Sequence, residues 1–251
     1  MELREINLEV VDELAIVRIN RPPANALAPD LLDEGRALAA ELGRKRPRAV
    51  ILTGSGDFFS AGVDLKLAPT LSGDDQRRMF TGINELFLAW YGLARPVVAA
   101  VNGHAVAGGL ILGLCADYRI AAEGARYGLT EGRAGIPYPP AAIGITRAEL
   151  SPGTARRLVL RASLIEAGEA RDWGVLDEVV TAGEVESRAL TVARELAELP
   201  PQTYAEVKHQ LRGPAIEAIR GELQDAAAAG EWLSEETARA AEGILRPREA
   251  R

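Results

Sequence analysis

The sequence predicts an α/β core followed by a helical C-terminal region, together forming one folded unit. In the first half of the chain, short runs of branched apolar residues alternate with helical patterns. After residue 183, Glu, Ala, Arg and Leu dominate. With 251 residues, 47% of them hydrophobic, the chain can bury a sizeable core. We divide it into a core of residues 1–195 and a helical oligomerisation region of residues 196–251, because such helical tails often pack on a neighbouring subunit.

The predicted elements of the first half follow from local periodicity and from turn residues. A proline at position 29 opens a helix that is expected to end at Gly43. Apolar residues at helical spacing predict two more helices, over about 74–92 and 108–116. The predicted strands are residues 14–20, 49–53, 97–101 and 118–122, with a shorter piece at 127–129.

The second half is predicted to be mostly helical. Pro140 and Pro152 open helices, the second after the N-cap candidate Ser151. A short helix over 166–173 precedes the last predicted strand, residues 175–180. Pro200-Pro201 and Gly213-Pro214 are expected to interrupt the C-terminal helical stretch, because proline lacks the amide that a helix interior needs.

Charge and composition argue against several classes of protein. The 29 basic and 36 acidic residues give a net charge of −7, the wrong sign for a binder of nucleic-acid backbones. One cysteine and two histidines argue against a disulfide framework and a zinc site. Residues 1–11 lack an apolar signal core, and no apolar run reaches the roughly 18 residues that span a bilayer. We expect a cytoplasmic protein with no nucleic-acid or membrane partner.

Two loops are candidates for a binding site because each follows a predicted buried strand. They are residues 58–65 and 102–109. Ligands of open α/β folds bind beyond the carboxyl ends of strands. Gly108-Gly109 opens a helix, whose first amides have no partner within the helix. A second amide near Val63 would complete an oxyanion hole, whereas the alternative is that both loops are tight turns that need glycine.

Glu131 is the candidate acid/base, because it ends a short predicted strand and does not lie on a plainly solvated helix face. A carboxyl group beside an apolar pocket can have a raised pKa and transfer protons. The alternative is an ordinary surface glutamate. Ser60 and His104 could be imagined in a catalytic triad, but Ser60 is not in a G-x-S-x-G turn. Lys66 could meet a ligand phosphate or be simply exposed.

Several segments, taken in order, resemble the crotonase (enoyl-CoA hydratase/isomerase) superfamily. Residues 19–22 read I-N-R-P and residues 25–27 read N-A-L, like the opening of the family. The later matches are F-S-A-G-V-D-L at 59–65, R-P-V-V-A-A-V-N-G at 95–103, A-G-G at 107–109, C-A-D at 115–117 and the segment 166–180.

The resemblance implies a spiral of ββα units, trimers that can pair into hexamers, and an acyl-CoA thioester as substrate. Coenzyme A would be part of that substrate, and no metal or redox cofactor is expected. Position by position, the oxyanion-hole amides fall on Val63 and Gly108, and Ala24 becomes a candidate for adenine contact. The other implied substrate-binding residues are Ala61, Gly62, Asp64, Leu65, Lys66, Gly109, Ile111 and Tyr138.

The chain departs from the family's hydratases at one of their two glutamates. Glu131 occupies the second position, but Ile111 occupies the first and cannot transfer a proton. Hydration asks for two groups, whereas moving a double bond needs one base. The resemblance therefore favours an isomerase. Two alternatives stay open: a hydratase or other enolate-based lyase in which Tyr138 or a distant acid supplies the missing group, and a catalytically weak acyl-CoA-binding protein.

Overall fold

The computed structural model describes residues 3–67, 70–226, 232–234, 237, 239 and 240. Ten strands and eight α-helices lie within this part of the chain. The strands are β1 (Ile6–Val11), β2 (Leu14–Ile19), β3 (Ala49–Gly54), β4 (Phe58–Ser60), β5 (Val97–Val101), β6 (His104–Val106), β7 (Tyr118–Ala122), β8 (Arg126–Gly128), β9 (Ile165–Glu166) and β10 (Glu178–Val180). The helices are α1 (Pro29–Lys45), α2 (Gly73–Tyr91), α3 (Gly108–Leu114), α4 (Pro140–Glu149), α5 (Pro152–Arg161), α6 (Ala167–Asp172), α7 (Val185–Ala197) and α8 (Pro201–Ala226).

Two sheets form the core. The larger has the order β1-β2-β3-β5-β7-β10, parallel except for the antiparallel pair β1 and β2. The smaller has the order β4-β6-β8-β9. The chain passes from β3 to β4, from β5 to β6 and from β7 to β8, so it alternates between the sheets as it winds. This winding places the loops after β4 and β6 side by side, because β4 and β6 are paired in parallel.

The strands predicted at residues 14–20, 49–53, 97–101 and 118–122 are confirmed, with ends that differ by at most one residue. Strands β3 and β5 are buried along their whole length, as expected for parallel strands covered on both faces. The prediction of a strand over 175–180 was wrong in its first half, and only β10 is a strand there. The amides of Val175 and Leu176 donate instead to the Ala170 carbonyl, which makes a turn after α6.

Two predicted helix ends were also wrong. Helix α1 continues past Gly43 to Lys45 and ends where Arg46 adopts a left-handed conformation, with φ 55°. Helix α8 runs through Pro214 without a break. The neighbouring Arg212 donates to the carbonyls of Tyr91, Cys115 and Ala116, which holds this part of α8 against the core and offsets the cost of an interior proline. Pro140, Pro152 and the Ser151 cap behave as predicted.

The described part of residues 196–251 packs on the core of its own chain. In α8, buried Lys208 and Arg212 pair with Asp117 at 2.8 and 3.1 Å, and Arg212 also meets Glu149 at 3.3 Å. A role for this region in a homotrimer or a dimer of trimers stays a prediction. Of the described helices, none is long and apolar enough to cross a membrane.

Candidate active site

A cavity of about 990 Å³ opens where the two predicted loops meet. Its wall includes Val63 from the first loop, Gly108 from the second, and both Ile111 and Glu131. Both loops leave the smaller sheet at neighbouring strands, which is why segments more than 40 residues apart in the sequence share one wall. The site residues predicted from sequence that line the cavity are Ala61, Val63, Asp64, Leu65, Lys66, Gly108, Ile111 and Glu131.

The amide of Val63 is free to bind a ligand because of how its segment pairs with Leu27. The Leu27 amide donates to the Gly62 carbonyl at 2.7 Å, and the Asp64 amide donates to the Leu27 carbonyl at 3.0 Å. In this parallel bridge the amide of Val63 points away from Leu27. Within the described residues it donates no hydrogen bond.

The Gly108 amide is the first of helix α3 and likewise donates no hydrogen bond among the described groups. Close backbone contact brings it near the Val63 segment: a Cβ on Gly62 would lie 2.8 Å from the Gly108 nitrogen. A Cβ on Gly109 would lie only 2.0 Å from the Ser60 carbonyl oxygen. Gly62 also has φ +77°, which residues with a side chain rarely adopt. Glycine is therefore needed at both positions for the two amides to approach each other.

Glu131 is the buried carboxyl group of the cavity. It begins a short 3-10 helix, Glu131–Ala134, and its residue exposure is 6%. Burial raises its pKa to about 7, against the weaker opposing effects of its own backbone amide and of the Tyr138 hydroxyl. Its Oε2 atom has no hydrogen-bond partner in the described part of the chain. A carboxyl group that titrates near neutral pH can both accept and return a proton.

The wall around Glu131 is largely apolar. Ile111 belongs to it, so the position where the resemblance implies a second glutamate is occupied by a hydrocarbon side chain that faces the same space. Among the described residues, no charged side chain lowers the pKa of Glu131. Other apolar residues of the wall include Ile83, Phe87, Ala134, Ile136, Pro139, Ala142 and Trp232.

Four of the predicted substrate-binding residues do not line the cavity: Ala24, Gly62, Gly109 and Tyr138. The Ala24 carbonyl accepts from the Ala61 amide at 3.0 Å and so supports the first loop. The hydroxyl of Tyr138 is buried beside the Glu131 carboxylate. Contact of these four residues with a substrate stays a prediction.

Asp64 in the first loop and Lys66 directly after it have different surroundings. Asp64 pairs with Arg21 at 2.9 Å, which joins the loop to the N-R-P segment of the sequence. Lys66 is exposed where it lines the cavity.

Sequence reasoning missed Arg133, Ser163, Leu164 and Trp232, which also line the cavity. Leu164 lies three residues after the end of α5, and Trp232 is about 100 residues from Glu131. Arg133 is two residues from Glu131, but no local pattern marks it or the other three as site residues, because only the folded chain shows which side chains face the cavity.

The triad of Ser60 and His104 is not formed. The Ser60 hydroxyl is buried and donates to the Asn25 carbonyl at 2.7 Å. His104 Nδ1 accepts from the Arg126 amide at 2.9 Å, and its ring packs on Phe58. Both residues therefore have structural partners. In the described chain, no group of three or more His, Cys, Asp or Glu side chains could hold a metal ion.

Residues 9–246 match the family model described as enoyl-CoA hydratase/isomerase. The chain belongs to this family. It is 35% identical over 197 residues to the probable enoyl-CoA hydratase EchA17 of Mycobacterium tuberculosis, which covers 78% of this chain and 75% of that protein. The resemblance inferred from the sequence motifs is thereby confirmed, and the chain is an enzyme of the enoyl-CoA hydratase/isomerase family.

Solved structures agree on the fold. The probable enoyl-CoA hydratase EchA3 of M. tuberculosis superposes with a TM-score of 0.85 at 30% identity, covering 90% of this chain and 95% of that one. A second structure of the same M. tuberculosis protein, there called an enoyl-CoA isomerase, superposes with a TM-score of 0.83, also at 30% identity, covering 89% of this chain and 98% of that one. The crotonase-like α/β fold with a helical C-terminal region is confirmed.

Proposed function

We propose that this enzyme moves the double bond of an enoyl-CoA thioester, with Glu131 as the acid/base that carries the proton. The observation that carries the proposal is the pairing of one buried carboxyl group, Glu131, with the hydrocarbon side chain of Ile111 in the same cavity. Hydration needs one group to activate water and a second to deliver a proton. Isomerisation needs one group that takes a proton and returns it.

The amides of Val63 and Gly108 supply the stabilisation that proton removal needs. The thioester carbonyl oxygen accepts hydrogen bonds from both amides, and ionised Glu131 removes a proton from the α carbon of a 3-enoyl thioester. The electron pair spreads over the carbonyl oxygen and the original double bond. Glu131 then returns the proton to the γ carbon, which leaves a 2-enoyl thioester. Donors aimed at a developing oxyanion typically contribute about 10²–10³-fold to the rate.

The character of the wall indicates the class of acyl group. Residues such as Phe87, Ile136 and Trp232 offer no polar side chain suited to a charged acyl group, so we propose an apolar acyl chain. Arg133 and Lys66 add positive charge to the wall, which suits a ligand with phosphate groups. Coenzyme A enters this scheme as part of the substrate, and the chemistry asks for no separate cofactor.

A hydratase is the second candidate function, and Tyr138 is the observation that favours it. Burial and the neighbouring Glu131 charge raise the pKa of Tyr138, so its hydroxyl stays protonated and could donate. The name of EchA17 points the same way for that protein. The isomerase is preferred because Tyr138 does not line the cavity.

The test compares matched 3-enoyl and 2-enoyl CoA thioesters, with products identified by NMR and mass. Wild-type enzyme is expected to interconvert the two without forming a 3-hydroxyacyl product. Glu131→Gln should lower turnover by about 10²–10⁴-fold while thioester affinity changes little. Glu217→Gln, on the exposed face of α8, serves as the matched control and should keep full turnover.

Three results would contradict the proposal in different ways. Undiminished turnover by Glu131→Gln would remove Glu131 from the mechanism. A 3-hydroxyacyl product from the 2-enoyl thioester would identify a hydratase. Tight thioester binding with no product from either substrate would leave an acyl-CoA-binding protein.

A further inference from the structure

Tyr138 and Glu131 present two buried polar atoms that lack partners. The Tyr138 hydroxyl and Glu131 Oε2 are both fully buried, and neither makes a well-formed hydrogen bond within the described chain. Buried polar atoms are nearly always paired, because leaving one unpaired costs about 1–3 kcal/mol. The two side chains nevertheless face each other closely enough for each to affect the pKa of the other. Each is therefore the natural partner of the other.

The fold holds Tyr138 in this place from both sides. The amides of Gly135 and Ile136 donate to the Glu131 carbonyl, the second at 3.1 Å, so the chain folds back over Glu131. On the following residue, the Pro137 carbonyl accepts from Trp232 Nε1 at 3.0 Å. Pro139 and Pro140 come directly after Tyr138 and restrict its backbone further. A tyrosine held this firmly costs little additional entropy when it donates to a carboxylate.

The charged residues of the cavity do not stabilise the ionised form of Glu131, which leaves Tyr138 as the side chain that does. Asp64, Lys66 and Arg133 line the same cavity, yet none of them contributes to the pKa of Glu131. Among the described side chains, Tyr138 is the one that stabilises the ionised form of Glu131. We expect the bond between the two groups to tighten when substrate binds, because catalytic hydrogen bonds often form fully only in the complex.

We propose that Tyr138 is a positioning residue whose hydroxyl donates to the Glu131 carboxylate and holds the ionised base in its working orientation. The inference rests on the proposed role of Glu131 as the base. By stabilising the charged form, the donated bond keeps more of Glu131 ionised at neutral pH. Tyr138 exchanges no proton with the substrate in this scheme, so it supports a one-base reaction and does not supply a second acid.

The test is Tyr138→Phe, which removes the hydroxyl and keeps the ring. Tyr118→Phe is the matched control, because the Tyr118 hydroxyl also donates to a glutamate, Glu178, at 2.8 Å and outside the cavity.

The first readout is the pH profile of kcat/KM. Wild-type enzyme should lose activity on the acid side with an inflection near pH 7. Tyr138→Phe should move that inflection upward by about one pH unit and lower the rate at pH 7 about fivefold, with recovery at higher pH.

A second readout separates this inference from the proposed function. The carboxyl carbon of Glu131, labelled with ¹³C and assigned by its loss in Glu131→Gln, is titrated by NMR in the unliganded and product-bound protein. An upward shift of its pKa in Tyr138→Phe, absent in Tyr118→Phe, supports the inference even if neither thioester is turned over. An unshifted carboxyl titration together with an unshifted pH profile overturns the inference about Tyr138. If Glu131→Gln is inactive in that case, the proposed function still stands. A uniform loss of activity with no shift would show that Tyr138 is merely structural and would also overturn it.

Discussion

Ile111 and Glu131 line the same cavity, so a hydrocarbon side chain and a buried carboxyl group face the space where the acyl group is proposed to lie. Ile111 is 1% exposed and belongs to the main core, whereas Glu131 is the carboxyl group that titrates near neutral pH. The proposed isomerase reaction depends on this pair.

Replacing Ile111 by Glu should introduce hydratase activity. A second carboxyl group in the cavity would supply the missing partner for water, and its charge would push the pKa of Glu131 further upward, because like charges disfavour ionisation. The assay monitors hydration of a 2-enoyl thioester as a decrease in its absorbance. Ile111→Gln has nearly the same shape and no charge, so it should gain no hydration. Equal gains in the two variants would contradict the explanation.

Gly62→Ala should lower kcat/KM beyond what its loss of unfolding free energy explains. The new Cβ would lie 2.8 Å from the Gly108 nitrogen and crowd an oxyanion-hole amide. Gly124→Ala is the matched control, because Gly124 has φ +79° and open space around its Cβ position. Backbone strain should cost each variant about 1–2 kcal/mol of unfolding free energy, and Gly62→Ala should lose more because its Cβ also crowds neighbouring backbone. Loss of activity in Gly62→Ala alone is expected, and similar activity in both variants would argue against the oxyanion hole.

The buried carboxyl group of Glu131 should make the wild-type protein less stable as pH rises. Its pKa is about 7 in the folded protein against an ordinary value of 4.5, so well below pH 4.5 it is protonated in both states. Between pH 4.5 and 7 the unfolded chain releases the proton first, which lowers the unfolding free energy by about 3 kcal/mol. Above pH 7 the difference stays constant.

Glu131→Gln should therefore be more stable than wild type at pH 8 and similar to it near pH 4.5. Urea unfolding at the two pH values measures the difference. A gap that is the same at both pH values would mean that Glu131 is not the buried titrating group.

Removing Asp117 should destabilise the attachment of α8. Its carboxylate accepts from the Val97 amide at 2.8 Å and neutralises buried Lys208 and Arg212. Asp117→Ala leaves two buried cations short of a partner and should cost about 3–5 kcal/mol of unfolding free energy, measured by urea denaturation.

The control for Asp117→Ala is Glu217→Ala. Glu217 belongs to an exposed pair with Arg220, and such pairs contribute only about 0–1 kcal/mol. A small effect of Asp117→Ala, comparable with that of Glu217→Ala, would show that the buried cations find other partners.

Local sequence patterns were enough to identify the main strands, most helices and the two glycine-containing loops. Strand β5 and helix α2 are long apolar or amphipathic segments whose burial is encoded in their own residues. Strands β4, β6 and β9 have only two or three residues each, too few to show a periodicity, so their pairing depends on neighbouring strands.

The amino-acid sequence alone determined the family, the oxyanion-hole candidates and the presence of Ile111 where a second carboxyl group is expected, because motifs of residue type and spacing are local properties. The tertiary structure decided that α8 continues through Pro214 and that Trp232 joins the cavity wall. It also decided that Tyr138 is buried beside Glu131 and outside the cavity lining. These outcomes depend on burial and on contacts between distant segments, and both exist only once the chain has folded.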